Sequence, residues 1–387
     1  MTFDDATRAQ VTAARPDAST WLGANAGSGK TRVLTDRVAR LLLNDTQPQR
    51  ILCLTYTKAA ASEMQNRLFK RLGAWAMLDN DSLRDALMEL GIEGAFDEAR
   101  LRKARTLFAM AIETPGGLKI QTIHSFCASL LRRFPLESGV SPQFTEIEER
   151  AAELLRAEIL DQMAEGEDAS IVAEIARHHT DESLDGLAQA IVGMRDDFAS
   201  PAQLKDFLEA LDLPRDVTRE SIMAKTMLGS EDSLIHGLIP RLLASSTNDI
   251  KVGKRLQALG AVCWDSLPEL ESVFLFGKDA NLPFGAKIGK FPTKPVREVL
   301  GANLDELNAL MQRVEAARPM RLGLIAAERS AVLHAFGCAF LKRYENAKKA
   351  RGWLDFDDLI TKARALLIDK EVATWVLYRI DGGIDHI

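Results

Sequence analysis

The nine residues GANAGSGKT at 23–31 have the types and spacing that most plainly do chemistry in this sequence. Gly27 and Gly29 let a backbone turn its N–H groups inward around an oxyanion. Lys30 supplies a cation for the outer phosphates, and the Thr31 hydroxyl is a hard oxygen ligand for Mg²⁺. The strict phosphate-loop pattern has Gly five residues before Gly29, where this chain has Ala24, which is still small. The expected nucleotide contacts are therefore Ala24, Asn25, Ala26, Gly27, Ser28, Gly29, Lys30 and Thr31. Lys30 and Thr31 take the catalytic roles, Thr31 is the magnesium ligand, and ATP and Mg²⁺ are the cofactors. The loop does not name the reaction by itself: another P-loop ATPase, a nucleotide kinase or a catalytically inactive nucleotide- or DNA-binding partner protein could carry it.

Such a loop works between a strand and a helix, and the flanking sequence supplies both patterns. STWLGA at 19–24 reads as a short strand, and from Lys30 the spacing of Val33, Leu34, Val38, Leu41 and Leu42 is helical. ILCLTYT at 51–57 is a continuous apolar, β-prone run of the length of a buried parallel strand, followed by a helical stretch with Met64, Leu68 and Leu72 four apart. Beyond Pro115, KIQTI at 119–123 reads as a strand and 124–134 as a helix that ends at Pro135. From about 140 to 340 strand signals nearly vanish, and helical windows such as 146–164 and 303–317 alternate with Pro/Gly/Ser connections. The expected fold class is α/β, a parallel-sheet domain of P-loop NTPase type interrupted by a large all-helical insertion. In LDFDDLI at 354–360, Asp355, Asp357 and Asp358 read as a helix start, capping free N–H groups and complementing the dipole, in preference to a metal site.

Composition removes several classes. A chain of 387 residues, 47% hydrophobic and 27% charged, has material for a real core and for more than one domain. No run approaches 18 uninterrupted apolar residues, so no membrane span is expected. The start MTFDDATRAQ lacks the basic and apolar regions of a signal peptide, and Cys53, Cys127, Cys263 and Cys338 are far apart, which points to a reducing cytoplasm. His178 and His179 have no nearby cysteine and do not read as a zinc site. The net charge of −6 hides a division: residues 140–250 hold 9 basic and 23 acidic side chains, whereas 1–139 hold 19 and 15. Any polyanion is thus expected on the flanks of the middle segment.

The loop form with Ala24 in first place, LTYTKAAASEMQNRL at 54–68, IQTIHSFCASLLRRF at 120–134 and LDFDDLI together resemble UvrD-type superfamily 1 DNA helicases, and within them the AddA subunits of bacterial helicase–nucleases. The resemblance covers residues 3–139 and about 330–387 well, and the middle only by position. It implies that Gln10, twenty residues before Lys30, contacts adenine. It implies that Thr55, Thr57, Lys58 and Ser62 of the first stretch, and Thr122, His124, Ser125 and Phe126 of the second, touch single-stranded DNA. Hydroxyls and helix N-termini grip phosphates without reading bases, and a ring such as Phe126 can stack on one. The family often has Asn-Lys where this chain has Lys58-Ala59.

The resemblance further implies residues 1–139 as the first part of a RecA-like ATP-binding subdomain, 140–330 as a helical insertion and 331–387 as the return. It implies an ATP-dependent 3′-to-5′ helicase or translocase of double-strand-break repair, acting on single- and double-stranded DNA ends with an AddB-type partner subunit. In the family YRIDGGIDHI runs into a strand bearing an aliphatic-Asp-Glu pair. The expectation is therefore an N-terminal fragment, ending before that strand, that binds ATP and DNA without hydrolysing.

Overall fold

The computed structural model describes residues 4–23, 25, 29–92, 94, 96–115, 117–179, 183–380 and 383–387. The chain divides into two compact units, one comprising Met1–Glu149 with Lys348–Ile387 and the other Arg150–Ala347.

The first unit holds α1 (Asp5–Ala13), α2 (Lys30–Leu43), β1 (Leu52–Thr55), α3 (Lys58–Met77), α4 (Asn80–Glu89), α5 (Glu98–Glu113), β2 (Lys119–Thr122), α6 (Ile123–Arg133) and β3 (Thr145–Glu146). After the second unit it resumes with β4 (Trp353–Leu354), α17 (Phe356–Ile368) and α18 (Lys370–Ile380). The second unit is built from α7 (Glu149–Glu165), α8 (Ala169–Ala176), α9 (Asp185–Gly193), α10 (Leu204–Ala210), α11 (Arg219–Thr226), α12 (Glu231–Leu243), α13 (Thr247–Leu259), α14 (Leu267–Phe274), α15 (Lys294–Leu300) and α16 (Asn303–Arg351), whose last residues, from Lys348, belong to the first unit. The architecture is α/β and mostly helical, with small parallel sheets.

β1 and β2 pair in parallel, Leu52 opposite Lys119 through Thr55 opposite Thr122. β1 has a second parallel neighbour, because Ile51 bridges to His386: the Leu52 N–H donates to the His386 carbonyl at 2.9 Å, and the Asp385 N–H donates to that of Arg50 at 2.8 Å. Both edges of β1 are therefore hydrogen-bonded. Around it α2, α3, α4 and α5 contribute one contiguous core, in which Leu42, Leu68, Leu72, Leu83, Leu87 and Leu101 are fully buried. Each such leucine contributes about 1.5–3 kcal/mol relative to leaving it in water. A second cluster packs α6 against α17 and α18 through Leu131, Leu359, Leu366 and Val376.

Two sequence expectations are corrected. Residues 19–23 form no strand: Trp21 is 97% exposed. A strand persists only where a neighbour completes its ladder, and none of the strands among the described residues lies beside this segment. The second run ends its strand at Thr122, and Ile123 is already helical, because the Thr122 side chain caps α6.

The second unit packs α12, α13, α14 and α16 around Leu242, Leu270, Phe274, Leu310 and Met311. Inside it Arg321 makes a bidentate pair with Glu271 at 2.6 and 2.8 Å, both side chains buried. By length and composition alone α16 is apolar enough to cross a membrane. Its apolar face is instead core: Leu310, Met311, Leu324, Phe336 and Phe340 are all buried.

Candidate nucleotide and nucleic-acid site

α2 begins immediately after the phosphate loop, with Gly29 as its N-cap at φ +89°. That left-handed conformation favours glycine. A β-carbon added there would also lie 3.0 Å from Gln10 Nε2, so the Gln10 side chain reaches directly over the loop's last glycine. Among the described residues no side chain caps α2, and its first turn carries no acid. The first-turn N–H groups thus lie at the helix's positive end, which suits an anion. The exposed Lys30 donates from Nζ to the Asn25 carbonyl at 3.0 Å, and Thr31 follows it half-buried. This donor set fits a nucleotide polyphosphate with its magnesium. Ala24, Ala26, Gly27 and Ser28 lie outside the described residues.

The second half of the site is an edge. Because β1 and β2 run parallel with Thr55 opposite Thr122, their carboxyl ends lie side by side, and each leads directly into a helix. Two helix N-termini therefore emerge at one sheet edge, where parallel α/β sheets place their ligands. On the first, Thr57 is exposed and its hydroxyl oxygen accepts from the Ala60 N–H at 3.1 Å, while Lys58 and Ser62 are exposed and Thr55 is half-buried. On the second, Thr122 is buried; its Oγ1 accepts from the Ser125 N–H at 3.1 Å and donates to Ser125 Oγ at 2.8 Å. Thr122 therefore shapes the edge from beneath.

His124 and Phe126 have different fates. Phe126 packs, partly buried, against the α6–α17 core. The His124 ring lies 4.6 Å from that of Phe356, tilted by 43°, and Phe356 is 53% exposed. Two accessible aromatics escaped the sequence reading: Phe356, regarded only as part of a helix cap, and Tyr56, which is 82% exposed between Thr55 and Thr57. Tyr56 carried a local signal, since an aromatic at the carboxyl end of a parallel strand stands where ligands meet the sheet. Phe356 carried none, being far from His124 in sequence.

LDFDDLI is a helix start, as its pattern suggested. Asp355 accepts from the Asp358 N–H at 2.8 Å, and Asp358 Oδ2 accepts from the Asp355 N–H at 3.0 Å, a reciprocal cap that fixes Phe356 between them. The two carboxylates also share the ammonium of Lys348, at 2.7 Å from each. Burial pushes the Lys348 pKa down, but Asp358 and Asp355 more than offset it and leave the pKa raised. An ammonium already lies between these carboxylates.

α2 and α3 are themselves tied. The buried Asp36 of α2 takes an ion pair from Arg71 of α3, with Arg32 a further 3.9 Å partner. Cys53 of β1 is half-buried, and burial raises its thiol pKa to about 11.

Residues 4–381 match the family described as the UvrD/REP helicase N-terminal domain. An ATP-dependent helicase/nuclease subunit of Bacillus mycoides (strain KBAB4) is 31% identical to this chain over 209 residues, covering 52% of the chain and 15% of that protein. Proteins of the same description from Bacillus cereus (strain AH820) and Bacillus anthracis are 30% identical over 209 residues with the same coverage. The match therefore spans 15% of the length of these relatives.

Proposed function

The chain belongs to the UvrD/REP helicase N-terminal domain family, with the P-loop NTPase fold that this implies, and on that premise we propose that it is the ATP-binding part of a DNA helicase or translocase. Lys30 holds the charge of the outer phosphates, Gln10 meets the adenine, and Thr31 offers its hydroxyl to magnesium. When bound there, magnesium would neutralise phosphate charge. The strand-end edge with Thr57, Lys58, Ser62, His124 and Ser125 grips the backbone of single-stranded DNA, while Thr122 and Phe126 position it. Residues 140–330 act as a helical insertion within a RecA-like subdomain. Movement is 3′ to 5′ on DNA ends, in cytoplasmic double-strand-break repair, with an AddB-type partner subunit.

The observation that carries this reading is the register of Thr55 opposite Thr122, which sets two helix N-termini at one edge of the sheet. Equilibrium binding of a labelled oligothymidylate, with and without a nonhydrolysable ATP analogue, tests it. Lys30→Ala is expected to lose nucleotide binding, and with it any effect of nucleotide on DNA affinity. Lys58→Ala is expected to weaken DNA binding regardless of sequence and to lower the log–log salt slope by roughly 0.7. A different P-loop enzyme would show no dependence of nucleotide affinity on DNA, and that result would remove the proposal.

A further inference from the structure

α1 carries Gln10, yet little within α1 itself holds it in place. None of its nine residues is buried, so apolar packing contributes little to its position. Its last turn has no basic side chain to meet the carbonyls that a helix leaves open at its carboxyl end. The Val11 carbonyl, one residue beyond Gln10, is such a group, because the Arg15 N–H that could have reached it goes to the Thr12 carbonyl at 3.2 Å.

α2 supplies what α1 lacks. Arg40 donates to the Val11 carbonyl at 2.8 Å. Arg37, three residues earlier, donates from one terminal nitrogen to the Ala18 carbonyl at 2.8 Å and from the other to the Arg15 carbonyl. Both arginines are half-buried, a setting in which a charge-assisted hydrogen bond is stronger than in water. The end of α1 and the chain leaving it are thus gripped at three carbonyls by two side chains of one helix. That helix is the one that opens with Lys30, and its cap, Gly29, is the residue over which Gln10 reaches. The contacts for base and for phosphate are therefore referred to the same rigid element.

Such fixing matters for a glutamine. To read adenine its amide must accept from the 6-amino group while donating to N7, whereas guanine presents two acceptors at the same places. A two-point contact of this kind fails once the backbone that carries it turns or shifts.

We propose that Arg37 and Arg40 are positioning residues for base selection: by clamping α1 to α2 they hold Gln10 where it meets adenine, and so set the preference for ATP over GTP. The proposal rests on the reading of Gln10 as the adenine contact and adds to it the two residues through which that contact is held.

Calorimetric titration of the whole chain with the β,γ-imido analogues of ATP and of GTP, each with magnesium, reads the preference directly. Wild type should bind the adenine analogue about tenfold more tightly, the discrimination of one bidentate pair. Arg37→Met and Arg40→Met should each bring the two affinities to within about threefold by weakening the adenine analogue alone. Gln10→Ala should do the same, and adding Arg37→Met to it should change neither affinity further, because the residues act as one unit. Arg37→Lys keeps a donor and should recover part of the preference. Damage to the fold would weaken both analogues together and cannot produce this split. An unchanged preference in the arginine variants, an equal loss for both analogues, or additive losses in the double variant overturns the proposal and leaves the reading of Gln10 standing. Wild type that binds the two analogues alike, or binds neither, removes the reading of Gln10, and the proposal falls with it.

Discussion

Replacing Lys348 by methionine removes a charge while keeping a side chain of similar length, so it isolates the electrostatics of the α17 cap. Lys348 is 1% exposed and donates to Asp355 and Asp358 at 2.7 Å each. Without it two nearly buried carboxylates lose the ammonium they share, and breaking a buried ion pair from one side costs about 3–5 kcal/mol. Total stabilities of only ~5–15 kcal/mol make that a severe loss. The Lys348 pKa is raised on folding, so its contribution is complete below the free-lysine value of 10.5 and is lost as pH climbs through the raised value. Wild type should therefore lose stability on that alkaline limb, and Lys348→Met should not. Urea unfolding followed by circular dichroism measures both the loss and its dependence on alkaline pH. Adding Asp355→Asn and Asp358→Asn should recover much of the loss, since asparagine still caps a helix. A Lys348→Met loss below about 1 kcal/mol, or a triple variant no better than the single one, would refute the reasoning.

Thr122→Val removes both the cap of α6 and the bond to Ser125, and should cost roughly 1–2 kcal/mol in thermal or urea unfolding, with Thr122→Ser close to wild type; equal losses in the two would mean that the hydroxyl is idle. Tyr56→Ala, at an exposed position, should leave stability within about 0.5 kcal/mol yet weaken oligothymidylate binding by about 1–3 kcal/mol if the ring stacks on a base. Asp36→Asn loosens the link between α2 and α3, and should reduce the change in DNA affinity that nucleotide produces more than it reduces either affinity alone; a thermodynamic cycle measured by fluorescence anisotropy would show an unchanged coupling term if the link carries nothing.

What could be read from the sequence was local. Gly29, Lys30 and Thr31 are consecutive and their chemistry lies in residue type. The aspartates of LDFDDLI announce a cap because a cap closes within four residues. The strand at 19–24 was misjudged because a strand is a relation between segments, and the apolar residues Trp21 and Leu22 give no hint of whether a partner lies alongside. Lys348 sits inside a long charged helix and nothing near it in sequence marks it as the counter-ion of a cap. Phe356 and His124 meet only through the packing of α17 on α6. Gln10 lies over Gly29 in the structure, but a lone glutamine near a helix start has no signal of its own, and only the family resemblance singled it out.

The two halves of the proposed site are joined by rigid parts. α2, which starts at Lys30, is fastened to α3, which starts at Lys58, by the buried Asp36 and Arg71. β1, which delivers Thr55 to the edge, is bonded on one side to β2 and on the other to the segment around His386. A packed core transmits displacement because it has no voids to absorb it. Movement of α2 in answer to phosphate charge at its N-terminus would therefore have to be shared by α3, and so by Thr57, Lys58 and Ser62.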